Sequence, residues 1–280
     1  MGKIKKTLTT IGIWLAAQLT VTTIFVIATL ILKGDFNSML APALLVSDTI
    51  TIIILFILKY CKVKELFQTA PQNVFLISMI MGFCSLFAVD LLAQPLDIPD
   101  IMEQQFKDMS KSLWGLFAIC IIGPISEEIM MRRVILTEIK EATGSMWWGI
   151  IISAALFAII HVNPIQVIFA MPAGIVLGWL YCKTGRLLVP ICVHILNNTF
   201  SFILMRTDTD FEIELKSTLG IILLSICILI TLGSIIWMVK YYSGKDRVET
   251  GTDETINEEP AIPEEKTGSN GAFSGDNYEK

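Results

Sequence analysis

The chain reads as an all-α, polytopic membrane helix bundle of about eight transmembrane helices, with both termini in the cytoplasm. Three observations carry that expectation. Hydrophobic residues make up 54% of the 280 positions and charged residues 17%, with a mean hydropathy of +0.66; a soluble domain has roughly 45–50% and 25%. Apolar runs near the length needed to cross a bilayer recur along the sequence. The basic residues collect in every second connection, as cytoplasmic loops require.

In chain order, the runs are 8–32, 39–58, 74–93, 113–136, 145–162, 165–182, 187–205 and 218–239. The first is long and lacks a small-residue cleavage site, so it reads as a membrane helix rather than a signal peptide. Lys3, Lys5 and Lys6 precede it, and Lys59, Lys62 and Lys64 follow the second run. Arg132, Arg133 and Lys140 close the fourth, Lys183 and Arg186 the sixth, and Lys240, Lys245 and Arg247 the eighth. The alternate loops are acidic: Asp97, Asp100, Glu103 and Asp108 in one, Asp208, Asp210, Glu212 and Glu214 in the other. Segment 95–112 is expected to hold a short helix on the outer surface.

This gives four regions: 1–112 with the first three spans and an outer loop, 113–205 with the next four, 206–242 with a loop and the last span, and an acidic tail, 243–280. The tail holds ten acids against four bases and almost no large apolar residues, so it is expected to be disordered and cytoplasmic. The net charge of −5 resides there. The body is nearly balanced, so nothing in it points to nucleic acid. The six cysteines form no C-x-x-C pair and read as structural thiols.

The informative residues are polar ones at membrane depth. Glu127 and Glu128 are adjacent within an apolar run, LWGLFAICIIGPISEEIMMRRVIL. One ionisable group there costs roughly 2.5–3.5 kcal/mol or more, which makes a functional site the default expectation. Glu128 and Arg132 are four apart and share a helical face, so they can pair; Glu127 then points about 100° away. Both histidines of the chain, His161 and His194, also lie in apolar segments. His194 and Asn198 share a face, as do Phe157 and His161. Carboxylate and imidazole are the usual general acid–base groups. Gly174 and Gly178 permit close helix contact, and Pro190 is expected to bend the seventh span. Asp48 and Asp90 are further buried-acid candidates. In upright helices Glu127, His161 and His194 would be spread over roughly 14 Å of depth, so tilt, a kink or a helix running past the membrane must bring them together.

The ordered set E-E-x-x-x-R (Glu127, Glu128, Arg132), F-x-x-x-H (Phe157, His161) and H-x-x-x-N (His194, Asn198) resembles the three motifs of the CAAX prenyl protease and bacteriocin-processing family, also called CPBP or Abi. The likeness covers about 113–200. Where that family often has Phe-Arg-Gly, this chain has Met131, Arg132 and Arg133. The resemblance implies an intramembrane endopeptidase acting on membrane-associated proteins, prenylated peptides or leader peptides. It implies that Glu127 activates water with His161, that Glu128 pairs with Arg132, and that His194 and Asn198 stabilise the oxyanion. No cofactor is expected. Zinc is the alternative, with Glu127, Glu128, His161 and His194 as its ligands, although no H-E-x-x-H is present. Two other readings remain open: a non-catalytic membrane partner or immunity protein on the same fold, and a proton-coupled transporter, against which the absence of a visible internal repeat counts. The expected setting is a prokaryotic plasma membrane, crossed several times, with the bilayer and a peptide or protein substrate as partners.

Overall fold

A computed structural model describes residues 4–96, 98–207 and 214–254. Among them the chain is helical, without strands. The helices are α1 (Lys5–Leu32), α2 (Phe36–Ile57), α3 (Gln72–Ala93), α4 (Glu103–Ser110), α5 (Leu113–Thr143), α6 (Met146–Ile159), α7 (Pro164–Thr184), α8 (Leu188–Thr207) and α9 (Thr218–Glu254). Seven of these described helices are long and apolar enough to cross a membrane, so the chain is a multi-pass membrane protein. The seven are all but α4 and α6. The short helix expected in 95–112 is α4.

The expectation of eight spans is corrected at α6. The apolar run 145–162 forms a helix of 14 residues, about 21 Å long, which is shorter than the roughly 30 Å hydrocarbon layer. Ser145 caps its start by accepting from the Trp148 N–H at 3.4 Å. Its end is a turn at Ile160–Asn163 before Pro164 opens α7. Hydropathy alone could not see this stop, because the turn residues Ile160 and Val162 are themselves apolar.

Two compact units are present, Met1–Met238 and Val239–Lys280. In the first, α1 lies along α2 and α6 along α7. Helix α3 packs on α7 and α8, and α4 on α2 and α8. Helix α5 runs through the middle, against α1, α2, α6 and α8. The core therefore centres on α5, with Ile129, Met130, Met131 and Ile135 buried against Leu55, Phe157 and Ile191. Helix α1 has no side-chain cap of its own. Glu138, near the far end of α5, accepts from the Lys6 N–H at 2.8 Å, from the Thr7 N–H, and from the Thr7 hydroxyl at 2.5 Å. All six cysteines are free thiols.

The second unit is described as far as Glu254, where α9 ends. Segment 243–254, expected to be disordered from its composition, is thus helical. Extending an existing helix needs no new nucleation, and Lys, Arg and Glu are good helix formers. Residues 255–280 of the tail, and the acidic residues Asp208, Asp210 and Glu212, lie outside the described residues.

Candidate active site

Helix α5 is not a regular α-helix where it carries the acids. It has π-helical turns at Ala118–Ile122 and Ile129–Leu136, on either side of the α-helical Gly123–Glu128. Pro124 has no N–H to give the carbonyl of residue 120 and crowds it, and a wider turn relieves that crowding. Wide turns are often found at functional sites, and here they bracket Glu127 and Glu128.

Glu128 is wholly buried and Arg132 almost so, with Nε 3.0 Å from Oε2. The i,i+4 pair expected from spacing is therefore present. Arg132 is held from two further sides. Its Nη2 donates to the Gly174 carbonyl at 3.4 Å, and its guanidinium lies 4.7 Å from the centre of the Phe157 ring. Gly174 makes that arrangement possible. A Cβ there would sit 2.8 Å from Cα and Cβ of Ala154, so only glycine lets α7 approach α6 this closely.

The other Glu128 oxygen, Oε1, is 2.9 Å from Nδ1 of His194. The opposite ring nitrogen, Nε2, faces Oε2 of Glu127 at 3.6 Å. His194 thus bridges the two carboxylates. Glu128 fixes the ring, while Glu127 keeps 23% of its side chain exposed. Pro190 does not kink α8 to achieve this. It lies in the first turn of α8, where a missing N–H leaves no intrahelical bond unmade, and His194 follows one turn later.

Phe157 is the centre of the packing. Its ring meets those of His161 and His194 edge to face, at centroid distances of 4.8 and 5.7 Å. Nδ1 of His161 is 2.7 Å from the Phe157 carbonyl, so Nδ1 carries the proton and Nε2 is left as an acceptor. His161 follows the end of α6 and is half-buried. The spread in depth expected for upright helices is thus met by contact at Phe157, one turn before His161. Glu127 faces His194, whereas the family resemblance implied His161 as its partner. Asn198 donates to the Ile119 carbonyl at 3.0 Å and receives Nδ2 of Asn197 at 3.4 Å, so it is tied to the first π-helical turn of α5.

Of the further acids, Asp48 is buried in α2, accepting from Nε2 of Gln18 at 3.1 Å. Gln18 in turn accepts from the Ser47 hydroxyl at 2.9 Å. Helix α2 packs against the part of α5 that carries Glu127. Asp90 is exposed near the end of α3. Sequence reasoning missed Gln18 and Ser47. Their signal was present, since an amide and a hydroxyl at membrane depth need partners. No three His, Cys, Asp or Glu side chains among the described residues are grouped to hold one ion.

A family model described as Type II CAAX prenyl endopeptidase Rce1-like matches residues 109–200. The segment is similar to the putative membrane peptidase YdiL of Bacillus subtilis (strain 168), 34% identical over 98 residues, which is 35% of this chain and 40% of that protein. It is also similar to the membrane-embedded CAAX protease MroQ of Staphylococcus aureus (strain USA300), 38% identical over 102 residues, 34% of this chain and 40% of that protein. The chain thus matches about two fifths of the length of these curated relatives. No solved structure gives a significant match. Residues 109–200, which hold every charged group of the cluster around His194, are thus similar to the CAAX protease family.

Proposed function

We propose that this protein is an intramembrane endopeptidase in which Glu127 is the general base. The single observation that carries the reading is His194 held between Glu128 and Glu127, with Arg132 behind Glu128. Two carboxylates and one guanidinium leave one negative charge unbalanced. Peptide hydrolysis takes a proton from water and returns it to the leaving amine, and a carboxylate facing an imidazole supplies the groups for both transfers.

In this mechanism Glu127, the more exposed acid, deprotonates a water. The hydroxide adds to the scissile carbonyl, and the proton passes to the departing nitrogen as the C–N bond breaks. Protonated His194, oriented by Glu128, donates from Nε2 to the tetrahedral oxyanion, assisted by Asn198. His161 offers Nε2 as an acceptor that helps position the water. No metal takes part in these steps. The substrates are membrane-associated proteins or peptides; leader peptides and prenylated C-termini are the two classes the family resemblance suggests.

The test is hydrolysis of a peptide library by detergent-purified protein, with products read by mass spectrometry. Cleavage is expected for wild type and for Asp90→Asn, whose side chain is exposed on α3, and is expected to be lost in Glu127→Ala and His194→Ala. Equal cleavage by all four proteins would overturn the reading. A correctly folded wild type that binds a membrane partner but cleaves nothing would favour the non-catalytic alternative.

A further inference from the structure

The turn that carries His161 has three features that its own helices do not explain. Val162 has φ +60°, a left-handed conformation that a β-branched residue adopts only under constraint. Asn163 is wholly buried. It also occupies the N-cap position of α7, where an Asn side chain normally accepts from the first free N–H groups, yet it caps nothing there. Its amide instead reaches the connection between α3 and α4. Nδ2 donates to Oδ1 of Asp100 at 2.8 Å, and Oδ1 accepts from the Ile101 N–H at 3.2 Å. The same Asp100 oxygen accepts from the Met102 N–H at 2.9 Å. The turn is tightened further by the Asn163 N–H, which donates to the His161 carbonyl at 2.6 Å.

Local stability at the start of α7 is thus given up for a bond to a segment more than sixty residues earlier. Departures of this kind from local preference mark functional constraint. The residue held is the one after Val162, and the residue before Val162 is His161. Asp100 lies outside the segment that matches the family model and Asn163 inside it.

We propose that Asp100 and Asn163 are positioning residues for His161: a clamp from the α3–α4 connection that forces the strained turn and so sets where the imidazole stands. The α3–α4 connection is then part of the active site without touching substrate. This inference rests on the peptidase reading for its catalytic consequence, but the clamp itself is testable without activity.

Four variants separate the cases. Asp100→Ala removes the acceptor. Asp100→Asn keeps an acceptor oxygen for Asn163. Asn163→Asp sets two carboxylates face to face with no donor between them. The exchange of both, Asp100→Asn with Asn163→Asp, restores one donor facing one acceptor and still leaves an oxygen for the Ile101 N–H. Because small misplacements of catalytic groups cost up to about a hundredfold in rate, Asp100→Ala and Asn163→Asp are expected to lower kcat by at least about tenfold, with KM changed less than about twofold. Asp100→Asn and the exchange are expected to lie within about threefold of wild type. A purely structural role would lower the amount of folded enzyme without separating kcat per folded molecule from wild type. Wild-type kcat in Asp100→Ala, or an exchange no better than Asn163→Asp alone, overturns the proposal.

The second readout is hydrogen exchange by mass spectrometry, in which the Ile101 amide reports the clamp directly. It is expected to lose protection in Asn163→Ala, with the middle of α6 and α7 unchanged. Unchanged protection there overturns the clamp whatever the activity. If wild type cleaves no peptide yet protection is lost as expected, the clamp stands and the peptidase reading falls.

Discussion

Replacing Arg132 by methionine tests the electrostatic frame of the site. The side chain is 1% exposed and its partner Glu128 is 0% exposed. The substitution keeps much of the volume but removes the cation, so Glu128 retains only His194. Breaking a buried pair from one side costs about 3–5 kcal/mol, because an uncompensated charge is left behind. The contact with Phe157 adds up to about 2 kcal/mol for a desolvated cation over a ring. The bond to the Gly174 carbonyl is long, at 3.4 Å, and adds little. A loss of about 4–6 kcal/mol is therefore expected, measured as the shift in unfolding by SDS titration in mixed micelles. The companion variant Glu128→Gln, Arg132→Met has no orphaned charge. It is expected to recover at least about 2 kcal/mol of that loss, since neutral replacement of a buried pair is often tolerated. If Arg132→Met were as stable as wild type, or if the two changes simply added, the pair would not be what holds Glu128 in place.

Other consequences concern packing, a surface pair and the acid in α2. Gly174→Ala would set a methyl 2.8 Å from the Ala154 backbone and 3.4 Å from Phe157. It is expected to cost about 1–3 kcal/mol by overpacking and to lower activity by at least about tenfold by shifting the Phe157 ring; an active, fully stable variant would contradict the role given to that close approach. Glu65, outside the spanning helices, has its carboxyl held below its ordinary value of 4.5: partial burial opposes this, and the bond to Arg133 more than offsets it. Its contribution is therefore complete above that ordinary value and is lost as pH falls through the lower folded one. Glu65→Gln should cost up to about 1 kcal/mol at pH 7, with the difference vanishing in unfolding curves taken in strong acid. Asp48→Asn keeps an acceptor for Gln18 in place of a buried carboxyl, so it is expected to leave stability unchanged or raise it by up to about 1 kcal/mol; a clear loss in the same SDS titration would show that the carboxyl itself is needed.

Much of the site was legible in the sequence because its logic is local. The spacing of Glu128 and Arg132 implied their pairing, and Gly174 implied a close helix approach. The histidines at membrane depth implied a polar site. What was not legible depends on how helices end and which faces meet. The run 145–162 looked like a span because its turn is written in apolar residues, so α6 stops short where hydropathy does not change. Pro190 was expected to bend the seventh span, although the run placed at 187–205 already sets it within the first turn, where the helix tolerates it. The partner of Glu127 was taken to be His161. The bundle instead brings His194 against both acids and leaves His161 joined to them through Phe157. Asn163 was not singled out in the sequence, because only the three-dimensional position of Asp100 gives it a purpose.

The most direct test of the central claim is the peptidase rate of purified wild type and Glu127→Gln, each measured after exhaustive chelation and again with added zinc. The glutamine keeps the shape of the side chain and removes its basicity. The expected result is a wild-type rate unchanged by chelation and a Glu127→Gln rate lower by at least about a hundredfold, the upper range for loss of a general base. A Glu127→Gln enzyme as fast as wild type would contradict the role of Glu127. Wild-type activity abolished by chelation and restored by zinc would contradict the metal-free mechanism.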